Sequence, residues 1–184
     1  MNRRKFLVSS AALSIVGSDL MASSIENGFE KNAFLVKSGE ARNGIHTPFR
    51  GINPNDVKIS SKDTSGQLSV FEYIGKEKIG PSLHVHLEQD EIFYVVEGTY
   101  RFQVGEESSI LGQGDTIFLP RNIPHTWIQI SDEGKLVYFL QPAGKMEEFF
   151  QAMTELGRPP SEEEEKSISL AFGIKNVGPP LSLE

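Results

Sequence analysis

Three of the four histidines of this chain fall into one spaced pattern, His84-Val-His86 followed by Glu91 and Gly98, then Gly114, Pro120 and His125. Histidines at i and i+2 project from the same face of a β-strand. A carboxylate five residues further on and a third imidazole on a separate strand can converge with them on one ion. Neutral imidazoles with a hard carboxylate suit a divalent transition metal: iron, manganese, nickel, cobalt or zinc. Burying three imidazoles and a carboxylate without a cation would be costly, which favours a metal over simple core packing. His46, in the loop 43–51, has no partner visible in sequence and reads as background.

The elements that would hold these residues are short strands. Alternation marks Leu68–Tyr73 and Tyr100–Val104, and a continuous apolar run marks Ile92–Val96, as for a strand covered on both faces. Ala33–Lys37, Val57–Ser60, Thr116–Leu119, Thr126–Ile130 and Lys135–Leu140 are further strand candidates. Turn residues separate them, including Thr64-Ser65-Gly66, Glu97-Gly98 and Asp132-Glu133-Gly134. So many short strands without intervening helices predict an antiparallel sandwich or barrel. Helical spacing follows from Lys145 to Gly157, and Ser161 with Glu164 forms a capping box for a second helix. The acidic run Glu162–Glu165 then reads as a solvated helix start, where the helix dipole favours anions. Phe149, Phe150, Ile168, Leu170 and Phe172 are expected to pack these helices on the outside of the barrel.

At 184 residues the chain is long enough for one domain with a substantial core. A formal charge of −7 argues against nucleic acid, whose phosphates need a basic surface. The absence of cysteine rules out disulfides, thiolate nucleophiles and iron–sulfur clusters. Residues 1–22 read as an export signal: Arg3-Arg4-Lys5-Phe6-Leu7, then the apolar stretch Leu7–Val16, then Met21-Ala22-Ser23. The paired arginines resemble the twin-arginine signal, so the expected location is periplasmic. Serines interrupt the apolar run, which falls short of a stable membrane anchor. Residues 23–32 form a polar leader, 33–142 the barrel, and 143–184 a helical extension packed on it.

At the histidine pattern the chain resembles the cupin superfamily, specifically single-domain, quercetin dioxygenase-like cupins with the cupin 2 conserved barrel. The first cupin motif is matched by His84, His86, Glu91 and Gly98, and the second by Gly114, Pro120 and His125. Three positions depart from the family pattern. Lys78 replaces a glycine six residues before His84, Asn122 replaces the glycine of Pro-x-Gly, and Gln129 replaces an asparagine. Asparagine tolerates a left-handed backbone better than other non-glycine residues, and no departure touches a metal ligand.

The resemblance implies an all-β fold, an antiparallel double-stranded β-helix or jelly-roll barrel with two short C-terminal helices. It implies a metal held by His84, His86, Glu91 and His125, with Glu91 also the catalytic base of a metal-dependent dioxygenase acting on a flavonoid-like or other enolisable small molecule. It also allows a homodimer. Two alternatives stand beside this: a non-redox metal-dependent isomerase or lyase on a sugar or small acid, and a non-catalytic small-molecule-binding protein. Strand alternation places Phe93 and Val95 on the inward face of Glu91, and Trp127 and Gln129 on that of His125, as expected substrate-pocket walls. These inward positions carry no Arg or Lys, which disfavours sugar phosphates and polycarboxylates.

Overall fold

A computed structural model describes residues 32–183; the expected export signal and most of the expected leader lie outside the described residues. Ten strands and two helices follow one another: β1 Asn55–Ile59, β2 Ser69–Gly75, β3 Ser82–His86, β4 Asp90–Glu97, β5 Tyr100–Val104, β6 Glu107–Leu111, β7 Thr116–Leu119, β8 His125–Gln129, β9 Gly134–Gln141, α1 Met146–Glu155, α2 Glu162–Ala171 and β10 Ile174–Pro180. They form two five-stranded sheets, ordered β1-β2-β9-β4-β7 and β10-β3-β8-β5-β6. The paired strands are antiparallel throughout, giving the expected jelly-roll architecture. No helix among the described residues is long and apolar enough to cross a membrane.

Strand alternation explains the core. On β4, Glu91, Phe93 and Val95 are buried while Tyr94 is exposed. The apolar run Ile92–Val96 is therefore covered on one face rather than two. β8 is the strand buried along its whole length. Inward-facing rings stack across the gap: Phe71 on Tyr138 at 5.0 Å between centroids and Phe93 on Tyr138 at 5.0 Å. Such offset aromatic pairs contribute about 1 kcal/mol each beyond the area they bury.

Several expectations need correction. Residues 33–37 form no strand: Leu35 is 82% exposed, and Phe34 lies under the Arg42 guanidinium instead of in a sheet. The segment after residue 142 is helical only in part, because β10 returns to pair with β3. α2 lies against the outermost strand β10, whereas α1 takes a different place. Phe150 meets Phe71 edge-on at 5.4 Å, so α1 closes over one end of the core, and Glu147 anchors it through the Ser60 hydroxyl at 2.8 Å. Leu170 points away, 60% exposed. The capping box at Ser161 forms, with Ser161 Oγ accepting from the Glu164 N–H and Glu164 accepting from the Ser161 N–H.

Candidate metal centre

β3, β4 and β8 bring His84, His86, Glu91 and His125 together near one end of the barrel. His84 pairs directly with His125 across β3 and β8, and β3 presents His86 on the same face as His84. Glu91 enters from the opposite sheet, in register with Leu119 and Leu140. One ligand atom from each of the four residues lies within 4.8 Å of the others, and all four residues are buried. Asn122 holds the second motif against the first: at a φ of 65° it donates its backbone N–H to the His86 carbonyl at 2.9 Å. Arg121 adds a clamp, its guanidinium forking onto Asp90 next to Glu91 at 3.0 and 2.8 Å.

The donor set fits a metal. His84 Nδ1 lies 2.8 Å from the Ser82 carbonyl and His125 Nδ1 lies 2.9 Å from the Ile123 carbonyl. A carbonyl can only accept, so each ring carries its proton on Nδ1 and turns a bare Nε2 inward. His125 Nε2 is buried with no hydrogen-bond donor. His84 Nε2 stands 3.2 Å from His86 Nε2, and Glu91 Oε2 stands 3.3 Å from His125 Nε2 and 3.6 Å from His86 Nε2. Ligands about 2.1 Å from one ion and at right angles would be about 3.0 Å apart, close to these separations. Burial, reinforced by the neighbouring imidazoles, pushes His84 well below its usual range. Burial and His125 push His86 down to about 3. Both are therefore neutral at physiological pH, the form that binds metal.

A cavity of about 500 Å³ opens directly onto this cluster and is lined by His84, His86 and Glu91 at its base. Phe93 and Trp127 line it, together with Phe49, Tyr73 and Tyr138, which sequence reasoning did not find. Tyr138 donates to Asn55 Oδ1 at 2.7 Å, and burial followed by the charge of Glu91 holds its hydroxyl pKa far above the usual value. α1 supplies Met146, Phe149, Phe150 and Met153 near the mouth.

Val95 and Gln129 do not line the cavity. Both are fully buried, but towards the other end of the barrel. Alternation fixes the face of a residue and not its depth: four residues at about 3.3 Å rise put Gln129 about 13 Å along β8 from His125. Arg50 and Arg158 do line the cavity, from a loop and from the link between the helices. The expectation of a cation-free wall holds for the strands alone. His46 has a partner after all, the buried Asp56 carboxylate at 2.9 Å, but lies outside the cavity lining.

Residues 70–140 match the family model described as the cupin domain. The fold is similar to that of three solved structures. One is KdgF from Halomonas sp., with a TM-score of 0.50 and 15% identity over 60% of this chain and 94% of that one. Another is an RmlC-like cupin from Shewanella frigidimarina, with a TM-score of 0.50 and 18% identity over 61% and 93%. The third is a predicted oxalate decarboxylase from Thermotoga maritima, with a TM-score of 0.52 and 14% identity over 59% and 99%. A comparison with curated protein sequences finds no match. The matched segment is thus similar to a cupin domain and the neighbours share its fold, and the segment carries a buried His/Glu cluster suited to a metal ion.

Proposed function

We propose that this protein is a metal-dependent dioxygenase of quercetinase type, acting on a flavonoid-like or other enolisable aromatic compound. The observation that carries this reading is the aromatic cavity opening straight onto the three-histidine, one-glutamate cluster. His84, His86, Glu91 and His125 would hold the metal. A redox-active ion bound there supplies a Lewis-acidic position for an enol oxygen and for dioxygen.

The remaining steps belong to the chain. Trp127 and Phe93 hold a flat ring by aromatic contact, so its hydroxyl end meets the cluster. Glu91 Oε takes the proton of the enol hydroxyl, and the electron-rich ring then meets dioxygen in a largely apolar space. Met146, Phe149 and Phe150 from α1 exclude bulk water from that reaction.

The paired Arg3-Arg4 supports export in the folded state, with the metal loaded before transport. Replacing both arginines by lysine is expected to retain the protein in the cytoplasm, read by fractionation. The catalytic reading is tested by oxygen uptake. Metal-loaded protein with quercetin is expected to consume dioxygen stoichiometrically with ring cleavage. Absence of uptake with iron, manganese, nickel and cobalt forms across a flavonol panel would overturn it.

A further inference from the structure

Two arginines line the cavity, and their environments differ. Arg158 forms a two-pronged contact with Glu164, Nη1 to Oε2 at 2.9 Å and Nη2 to Oε1 at 2.6 Å. These are ordinary lengths for charge-assisted bonds, so that cation is satisfied within the protein. Arg50 is held only loosely. Its Nε reaches the Gly80 carbonyl at 3.3 Å, and its Nη2 reaches Ser82 Oγ at 3.4 Å and Glu165 Oε1 at 3.3 Å. All three contacts are about 0.5 Å longer than a charged guanidinium normally makes, and Nη1 has no partner among the described residues.

The backbone presents this side chain deliberately. Arg50 and Gly51 both take positive φ, 50° and 72°, at the tip of a tight turn closed by the Phe49–Asn53 bridge. A non-glycine residue in that region carries a conformational cost. The turn is fixed to the cavity wall, because Phe49 lies against Trp127 with centroids 5.9 Å apart and planes at 29°. Glu165, the one carboxylate on Arg50 among the described residues, has a second and shorter bond from Ser82 Oγ at 2.9 Å. If Arg50 turns away, Glu165 keeps this hydrogen bond and part of its contact with solvent. Since the whole chain carries −7, an anionic ligand would need such a dedicated cation.

We infer that Arg50 is a specificity residue that binds an acidic substituent on the substrate, at the end away from the metal-binding oxygen. The ligand class is then an aromatic body with a distal carboxylate, rather than a neutral polyphenol. This rests on the cavity being the substrate site, as proposed above, but not on dioxygen chemistry.

Isothermal titration with para-phenylbenzoate and its neutral isostere para-phenylbenzamide tests it. The wild-type holoprotein is expected to bind the carboxylate about tenfold more tightly at low salt, the strength of one partly exposed charge-assisted contact. R50Q should abolish that preference while leaving amide affinity within about twofold. E165Q, which keeps the arginine and frees it, should strengthen carboxylate binding by about threefold, and tests the idea even if R50Q folds poorly. The preference should survive removal of the metal by a chelator.

Equal affinity for the two ligands, or a loss of both in folded R50Q, would overturn the assignment. So would a preference that disappears with the metal, since the carboxylate would then be bound by the metal centre. Failure of oxygen uptake with the preference intact would sink the dioxygenase reading and leave this one standing.

Discussion

The two ends of the barrel both bury polar side chains, and they arrange them differently. At the far end, Gln129 is fully buried and its Nε2 donates towards the carbonyls of Ser131, Asp132 and Gly75 at 3.0, 3.4 and 3.4 Å. The backbone is shaped to admit it. A Cβ on Gly75 would overlap the Gln129 carboxamide, and one on Gly134 would overlap the Tyr100 hydroxyl. At the other end, His125 Nε2 has no donor, the Glu91 carboxylate faces imidazole nitrogens, and open space replaces packed side chains. Each end leaves buried polar atoms without a protein partner, Gln129 Oε1 and the Tyr100 hydroxyl at one and His125 Nε2 at the other. Among the described residues, four ligand-type side chains converge beside the cavity at the second end alone. A buried polar group on an inward face is thus not evidence of a site until its partners are known.

The largest expected effect lies at the open end. Alanine at His84, His86 and Glu91 together should lower bound metal by more than about tenfold in elemental analysis, because each lost ligand weakens coordination. Unchanged metal content would remove the distinction between the ends. Gly134→Ala attacks the closed end instead. Overlap with Tyr100 should cost about 1–3 kcal/mol in denaturant unfolding, with metal content per folded molecule unchanged. Phe149→Ala should fall between the two regions. This partly buried ring lines the mouth, so aromatic ligands should bind about fivefold more weakly with a loss of stability near 1 kcal/mol.

The smallest effect belongs to neither end. Arg42 bonds Asp63 through two contacts, at 3.0 and 2.9 Å, and holds its carboxyl below the ordinary value of 3.8. The folded pKa is below the unfolded one, so the pair contributes above pH 3.8 and its contribution fades as pH falls through the lower folded value. Asp63→Asn should therefore cost less than about 1 kcal/mol at neutral pH and still less in acid, measured by thermal unfolding.

How far the sequence carries depends on whether a feature is local. The ligand set is local in pattern: i, i+2 on one strand, a turn, then a carboxylate. Its Asn122 adopts the left-handed backbone that replacing a glycine requires. The strands Tyr100–Val104 and Thr116–Leu119 form with the bounds that alternation and turn residues indicate. β6 escapes notice because four of its five residues, Glu107–Ile110, are exposed and it lacks a buried face to alternate with. β10 escapes because Ile174–Pro180 holds a glycine and two prolines and so reads as a loop. Those prolines are tolerated on an outermost strand, where one edge makes no ladder bonds, and the register shifts at Gly178 and Pro180 accommodate them. Depth in the barrel, which separates Phe93 from Val95 and Trp127 from Gln129, is set by where the helices and the Phe49 turn leave space. Nothing within a strand encodes that.

β10 also sets a schedule for synthesis. β3 carries His84 and His86, and on the side away from β8 its neighbour is β10, with Asn176 opposite His84 and Ile174 opposite His86. Until residues 174–180 emerge from the ribosome, the strand bearing two of the four ligands is an open edge, able to pair with any other nascent chain. The barrel can begin to collapse early, but the edge that carries His84 and His86 is sealed late.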